Sequence, residues 1–248
     1  MNASAQRIHG ALQAVARLRQ QRAAEPALAL AIARIKRFQA RRFQATYPDL
    51  LQSQRYKPAA GFFLHELYSD KDYADRDEQF GRIATTIARL FPQAIVDTAA
   101  ALVEVHALTE HLDDLMARQW PESLAATAGG NTCAAYIDCW RRVADPAGRR
   151  RQLEVVLALG RELDRLTEKP GLRTMLRLMR GPAAAAGLSA LQQFLETGFD
   201  AFAGMRGADE FLQVVQQRET RWINSLFEDD AVACETALTH LVGPDADG

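Results

Sequence analysis

Cysteine is scarce in this chain and never closely paired. Cys133, Cys139 and Cys234 are an odd number with no CxxC spacing, and the step from Cys133 to Cys139 is too wide for a zinc knuckle. They are expected to be buried thiols in a reducing compartment. Long apolar runs are missing as well. No stretch approaches the roughly 18 consecutive apolar residues of a membrane-spanning helix. The N-terminal segment carries Arg7, Arg17 and Arg19 with no apolar block ending in a small-residue cleavage site. The expected location is therefore the cytoplasm, with no membrane partner. Neither sign of charge dominates, since the formal net charge is -1 over 248 residues. A sequence-independent nucleic-acid binder needs a basic excess to neutralise phosphates, so nucleic acid is not an expected partner. No GxGxxG, Walker-type loop, GxSxG elbow or HExxH occurs. The commonest nucleotide-binding, hydrolase and zinc-protease chemistries are excluded with them. There is no internal repeat of fixed period.

What the chain does contain is apolar residues at helical spacing almost throughout, at 48% hydrophobic and 25% charged residues. Alternating β-branched runs are missing, so the expected fold class is all-α, a bundle of about eight to ten helices with no sheet. Pro26, Pro48, Pro58, Pro92, Pro121, Pro146, Pro170 and Pro182 each fall near a break in periodicity, where a residue lacking an N–H is tolerated. The pattern predicts helices over about Ser4–Arg22, Pro26–Thr46, Pro92–Gln119, Thr132–Ala144, Pro146–Thr167, Gly171–Arg180, Pro182–Gly204 and Ala208–Phe227. A short helix from Pro58 holds the motif described below, and another helix follows Asp70 or Asp72. The stretch from Tyr47 to Lys57 is expected to be a loop. The Ala/Ser/Gly-rich stretch Pro121–Asn131 is a candidate linker, so residues 1–248 form one helical domain or two halves, 1–120 and 131–228. Residues 229–248 are expected to be a short helix and a frayed tail.

The densest chemistry lies in Phe62-Phe63-Leu64-His65-Glu66-Leu67-Tyr68 and the acidic stretch that follows it. At about 100° per residue, Glu66 flanks the apolar face near Phe62 and Phe63, and His65 points away from it. An acid in that position needs a partner. Arg76 and Asp77 lie beside the inward stripe of their own helix, so Arg76 opposite Glu66 would form a bidentate pair fixing two helices in register. Glu66, Tyr68, Arg76 and Asp77 are the candidate polar network, structural or ligand-binding. Glu66 and Asp77 together are the candidate carboxylate cluster.

The helix over 92–119 carries the only dense set of metal-capable side chains: Glu104, His106, Glu110, His111, Asp113 and Asp114. Ferritin-like di-iron sites need a histidine at the third position after a glutamate, and Ala107 stands in that place after Glu104. In projection His106 and Glu110 fall outside the apolar stripe, formed by Thr98, Ala101, Val105, Leu108, Leu112 and Leu115. Glu104 and His111 sit on its edge. The remaining metal reading is therefore iron held by Glu66, Glu104 and His111. A basic run, Arg34, Lys36, Arg37, Arg41 and Arg42, has the acids of 70–78 as its expected counterpart. Arg173, Arg177 and Arg180 form a second stripe. Arg149-Arg150-Arg151 opens a helix, where positive charge opposes the helix dipole, so an anion or acidic neighbour is expected there.

The motif, with Glu66 and Tyr68 in register and His65 where the family name has glutamate, resembles the FFLEELY-motif proteins of bacteria. Arg42-Phe43-Gln44, Thr46-Tyr47, Asp49-Leu50-Leu51, Arg55-Tyr56, Arg76-Asp77, Met179-Arg180-Gly181-Pro182, Leu191-Gln192, Phe194-Leu195-Glu196 and Gly198-Phe199 extend the resemblance over most of the chain. It implies no particular reaction. The leading expectation is a non-enzymatic helical protein that binds a protein partner or small ligand without a cofactor. The alternative is a ferritin-like or haem-oxygenase-like di-iron enzyme.

Overall fold

The computed structural model describes residues 3–66, 71, 73–90, 93–121 and 132–243, and among these every regular element is helical. The helices are α1 (Ala3–Ala24), α2 (Pro26–Thr46), α3 (Pro48–Gln52), α4 (Lys57–Glu66), α5 (Ala74–Leu90), α6 (Gln93–Arg118) and α7 (Thr132–Val143). They continue as α8 (Pro146–Thr167), α9 (Leu172–Leu178), α10 (Arg180–Ala185), α11 (Ser189–Met205), α12 (Asp209–Glu228) and α13 (Ala231–Val242). The fold is all-α.

Local chemistry explains most boundaries. Pro26, Pro48 and Pro146 each open a helix at its first turn. Asp145 caps α8 by accepting the Gly148 N–H at 2.8 Å, and Asp230 caps α13 through the N–H groups of Val232 and Ala233. The described residues hold more helices than the eight to ten expected, for two reasons. Pro48 restarts a five-residue helix inside the stretch expected to be a loop. The helices expected over 171–180 and 182–204 are partitioned differently, because Pro182 lies in the first turn of α10 and the chain turns at Gly187, with φ +67°. There Leu188 N–H reaches Ala183 O and Gly187 N–H reaches Ala184 O, the paired closure of a helix ending on a left-handed glycine. The proposed linker, apart from Pro121, and the last five residues of the tail lie outside the described residues.

Helix α6 is the axis of the bundle and packs against α1, α2, α5, α7 and α8. This changes the expected burial of its faces. Leu108 and Leu115, placed in the apolar stripe by projection, are only half-buried, whereas Glu110, Asp113 and Asp114 are buried. A helix surrounded by neighbours buries more than one face, and acids on the second face are admitted when cations arrive to meet them.

Three apolar cores result. One joins α2, α6, α7, α12 and α13 through Phe38, Tyr136, Trp140, Leu226 and Leu238. A second joins the motif helix α4 to α2, α11 and α12 through Phe43, Tyr47, Phe63, Phe202 and Phe211. The third joins α1, α5, α6 and α11 through Ile8, Phe80, Val103 and Leu191. Each draws on residues from both halves of the sequence or from helices flanking the midpoint. Close approach is secured by small residues. A Cβ on Gly160 of α8 would stand 2.6 Å from Leu212 Cδ2, and one on Gly198 of α11 would stand 3.0 Å from Phe62 Cζ.

Candidate functional site

The three cores meet around a cavity of about 120 Å³ whose wall includes Tyr136, Ile223, Phe63, Val215, Phe80 and Val103. Much of the wall is apolar, but a ladder of charges crosses it. Helix α2 supplies Lys36, Gln39 and Arg42, at steps of three along one face. Each meets an acid from another helix. Lys36 Nζ donates to Glu110 Oε1 at 2.6 Å, Gln39 Nε2 to Asp113 Oδ1 at 3.0 Å, and Arg42 Nη2 to Glu219 Oε2 at 2.7 Å. Arg22 of α1 adds a second cation to Glu110, and the Tyr47 hydroxyl donates to Glu219 Oε1 at 2.9 Å.

Electrostatics differ from rung to rung. Burial pushes the Glu110 carboxyl up, but Lys36 and Arg22 outweigh it and hold the group at about 2. At Asp113, which is 1% exposed, burial prevails over the charges of Arg149 and Lys36 and raises the carboxyl above its ordinary range. Glu110 is therefore firmly ionised, whereas burial shifts Asp113 toward its neutral form.

At the more exposed end stand Glu66, Tyr73, Arg76, Asp77 and His106. Asp77 is the hub. It accepts from Arg19 of α1 at 2.6 Å and Arg76 at 3.2 Å, with His106 Nε2 at 3.0 Å. Burial pushes its carboxyl up, yet His106, Arg76 and Arg19 bring it down to about 2. The Arg76 guanidinium lies 4.2 Å from the Tyr73 ring centroid and 4.9 Å from that of Phe194. Two aromatic faces therefore orient it. Glu66 is a looser member, 3.9 Å from Arg76 Nη1 and 3.7 Å from Lys71 Nζ, with its side chain 21% exposed. The expected bidentate Arg76–Glu66 pair is thus a single long contact, because Asp77 claims the guanidinium more closely. His65 is exposed. Tyr68 lies outside the described residues.

The other residues singled out by sequence disperse. Glu104 is on the outer side of α6, clasped by Arg7 at 2.7 and 2.8 Å, and His111 is exposed. Neither lines the cavity that Glu66 lines. Among the described residues no group of three or more His, Cys, Asp or Glu could hold a metal ion. His106 and Glu110, set aside because they fall off the apolar stripe, are in the cavity wall. Of the basic run on α2, Lys36 pairs with Glu110 and Arg42 with Glu219. Glu219 itself carried no sequence signal beyond an acid within an otherwise apolar-periodic helix. The three cysteines are buried, with Cys139 pushed up by burial to about 12.

A family model described as a domain of unknown function, DUF8198, matches residues 18–233. The chain belongs to that family. The DUF8198 span includes every charged residue of the ladder and of the Asp77 hub, and excludes residues 3–17 of α1 and 234–242 of α13. No curated protein and no solved structure matches the chain.

Proposed function

We propose that this protein binds a small molecule in the central cavity and performs no chemistry on it. The observation that carries the reading is the cavity itself. Close-packed interiors rarely keep a space of this size. The size suits a ligand of a few non-hydrogen atoms, near the scale of cavities that hold a benzene ring. A wall that is apolar with a few convergent polar groups is the usual character of small-molecule sites. The acids support binding over catalysis, since Glu110, Asp77 and Glu219 are each engaged by cations from other helices.

As part of the same proposal we group the chain with the bacterial FFLEELY-motif proteins, on the strength of Phe62, Phe63, Leu64 and Glu66, and place it in the cytoplasm, where cysteine thiols stay reduced. An iron enzyme has less to support it, because Glu66, Glu104 and His111 do not share one wall.

The experiment is a thermal-shift and calorimetric screen of small, partly apolar molecules against the full chain and Val156→Phe, which places a ring in the cavity wall. Binding by the native chain that is lost in a folded Val156→Phe protein is the expected result. A native chain that binds nothing in such a screen has a merely hydrated cavity, and the reading fails.

A further inference from the structure

Hydrogen bonding around the cavity is unequal. Among the described residues Lys36, Arg42 and Arg76 each hydrogen-bond a carboxylate. Arg149 does not. Its guanidinium, on a residue only 7% exposed, donates to the Gln152 amide oxygen at 3.2 Å and to the Met116 thioether at 2.9 Å, and the nearest carboxylate oxygen, Asp113 Oδ1, is 3.8 Å away. An amide and a thioether are neutral acceptors, the second a weak one. A buried guanidinium whose hydrogen bonds go to neutral groups, with its carboxylate partner at ion-pair distance only, lacks the close charged acceptor that makes its burial cheap.

Two further donors stand in the same wall. The Tyr136 hydroxyl and the Trp140 indole N–H are buried and have no hydrogen-bond partner among the described residues. The two rings are 6.0 Å apart, and the Arg149 guanidinium lies 4.5 Å from the Trp140 ring centroid. Their polar atoms are near one another but short of hydrogen-bond geometry. A donor-only indole, a hydroxyl and a guanidinium thus stand close together beside the cavity, and no carboxylate hydrogen-bonds any of the three among the described residues.

We infer that this group of donors receives a carboxylate of the ligand, held by Arg149, Tyr136 and Trp140, with the ligand's apolar body lying along Val103, Val156 and Phe194. The inference rests on the reading of the cavity as a small-molecule site. A monoanion is favoured because one cation and two neutral donors match one negative charge; a dianionic phosphate would leave an unpaired charge in the interior. Arg149 also belongs to the first turns of α8, where three successive arginines oppose the helix dipole. Arg150 pairs with Glu228 at 2.9 Å, and Arg151, at 3.8 Å from Glu154, is largely exposed, so Arg149 is the buried one of the three whose carboxylate neighbour lies beyond hydrogen-bond distance. Asp113 leaves room for it, since burial raises that carboxyl and weakens its claim on the guanidinium.

The test uses butanoate and hexanoate beside butanamide and hexanamide, by calorimetry on the full chain and on Arg149→Met and Tyr136→Phe. Charge-assisted hydrogen bonds are about twice as strong as neutral ones, so the acids are expected to bind about tenfold more tightly than their amides. Both variants should lose that preference, with binding of the acids falling further than binding of the amides. Tyr136→Phe keeps the ring and decides the matter if Arg149→Met does not fold. Equal binding of acid and amide overturns the carboxylate assignment and leaves the cavity reading standing. Binding of neither overturns both. An acid preference undiminished in the folded variants overturns the assignment to these donors.

Discussion

Arg42 and Glu219, 177 positions apart in the chain, form a two-bond clasp in the interior, Nη2 to Oε2 at 2.7 Å and Nη1 to Oε1 at 3.2 Å, with the Tyr47 hydroxyl closing the second oxygen. Both side chains are less than a tenth exposed. Removing one partner strands the other charge in a medium that solvates it poorly. Glu219→Ala is expected to destabilise by roughly 3–5 kcal/mol. The double replacement Arg42→Met with Glu219→Leu should cost clearly less than the sum of the single changes. Urea unfolding of the single and double variants measures the coupling, and additive effects would show that the clasp contributes nothing.

Glu66 and Asp77 share the neighbourhood of Arg76, but the structure ranks them. Asp77→Ala leaves Arg19, Arg76 and His106 converging without their common acceptor, so a loss of roughly 3–5 kcal/mol is expected. Glu66→Ala removes two long contacts on a partly exposed side chain and should cost about 1 kcal/mol or less. Thermal melts of both, with His65→Ala as an exposed control, check the order. A larger fall for Glu66→Ala would place the hub at the motif acid.

Acid should weaken the fold through the same groups. Asp77 and Glu110 are held at about 2 against ordinary values of 3.8 and 4.5. Depressed carboxyls stabilise the folded state fully above their ordinary values, and that stabilisation fades as pH falls toward the folded values. Each contributes on the order of 2–3 kcal/mol at neutral pH. Asp113 acts with the opposite sign, because a raised carboxyl favours the folded state more as it takes up its proton, so it offsets part of the loss. Unfolding free energy measured between about pH 5 and pH 2.5 should fall steeply, and Asp77→Asn should flatten the slope.

Gly160 and Gly10 separate crowding from helix propensity. Both are in helix interiors, where alanine gains up to about 1 kcal/mol over glycine. A Cβ at Gly10 meets nothing within 4 Å, whereas one at Gly160 stands 2.6 Å from Leu212 Cδ2 in the second core. Gly10→Ala should raise the melting temperature. Gly160→Ala should lower it, since overpacking costs about 1–3 kcal/mol. A stabilised Gly160→Ala would mean that α8 and α12 separate without cost.

Helix class and most helix ends are properties of neighbours in sequence, and they were legible there. Apolar residues three and four apart fix the helical class, and prolines at first turns fix where α2 and α8 begin. The departures arose where a weak local signal was overlooked, such as the Ala-Gly-Leu closure at Gly187 that ends α10. The interior placement of charge was a different matter. The sequence marked Arg76, Asp77 and the arginines at 149–151, but it matched Lys36 to the acids of 70–78, left His106 and Glu110 outside the apolar stripe and gave no reason to single out Glu219. A charge is admitted to the interior only when its counter-ion arrives from elsewhere, as Glu110 is met by Arg22 and Lys36 from α1 and α2, and Arg42 by Glu219 from α12. That compensation is a property of pairs far apart in the chain. The periodicity of a single helix therefore settles that this protein is a bundle, and only the packing of α6 among its neighbours decides that a charged ladder and a cavity lie at its centre.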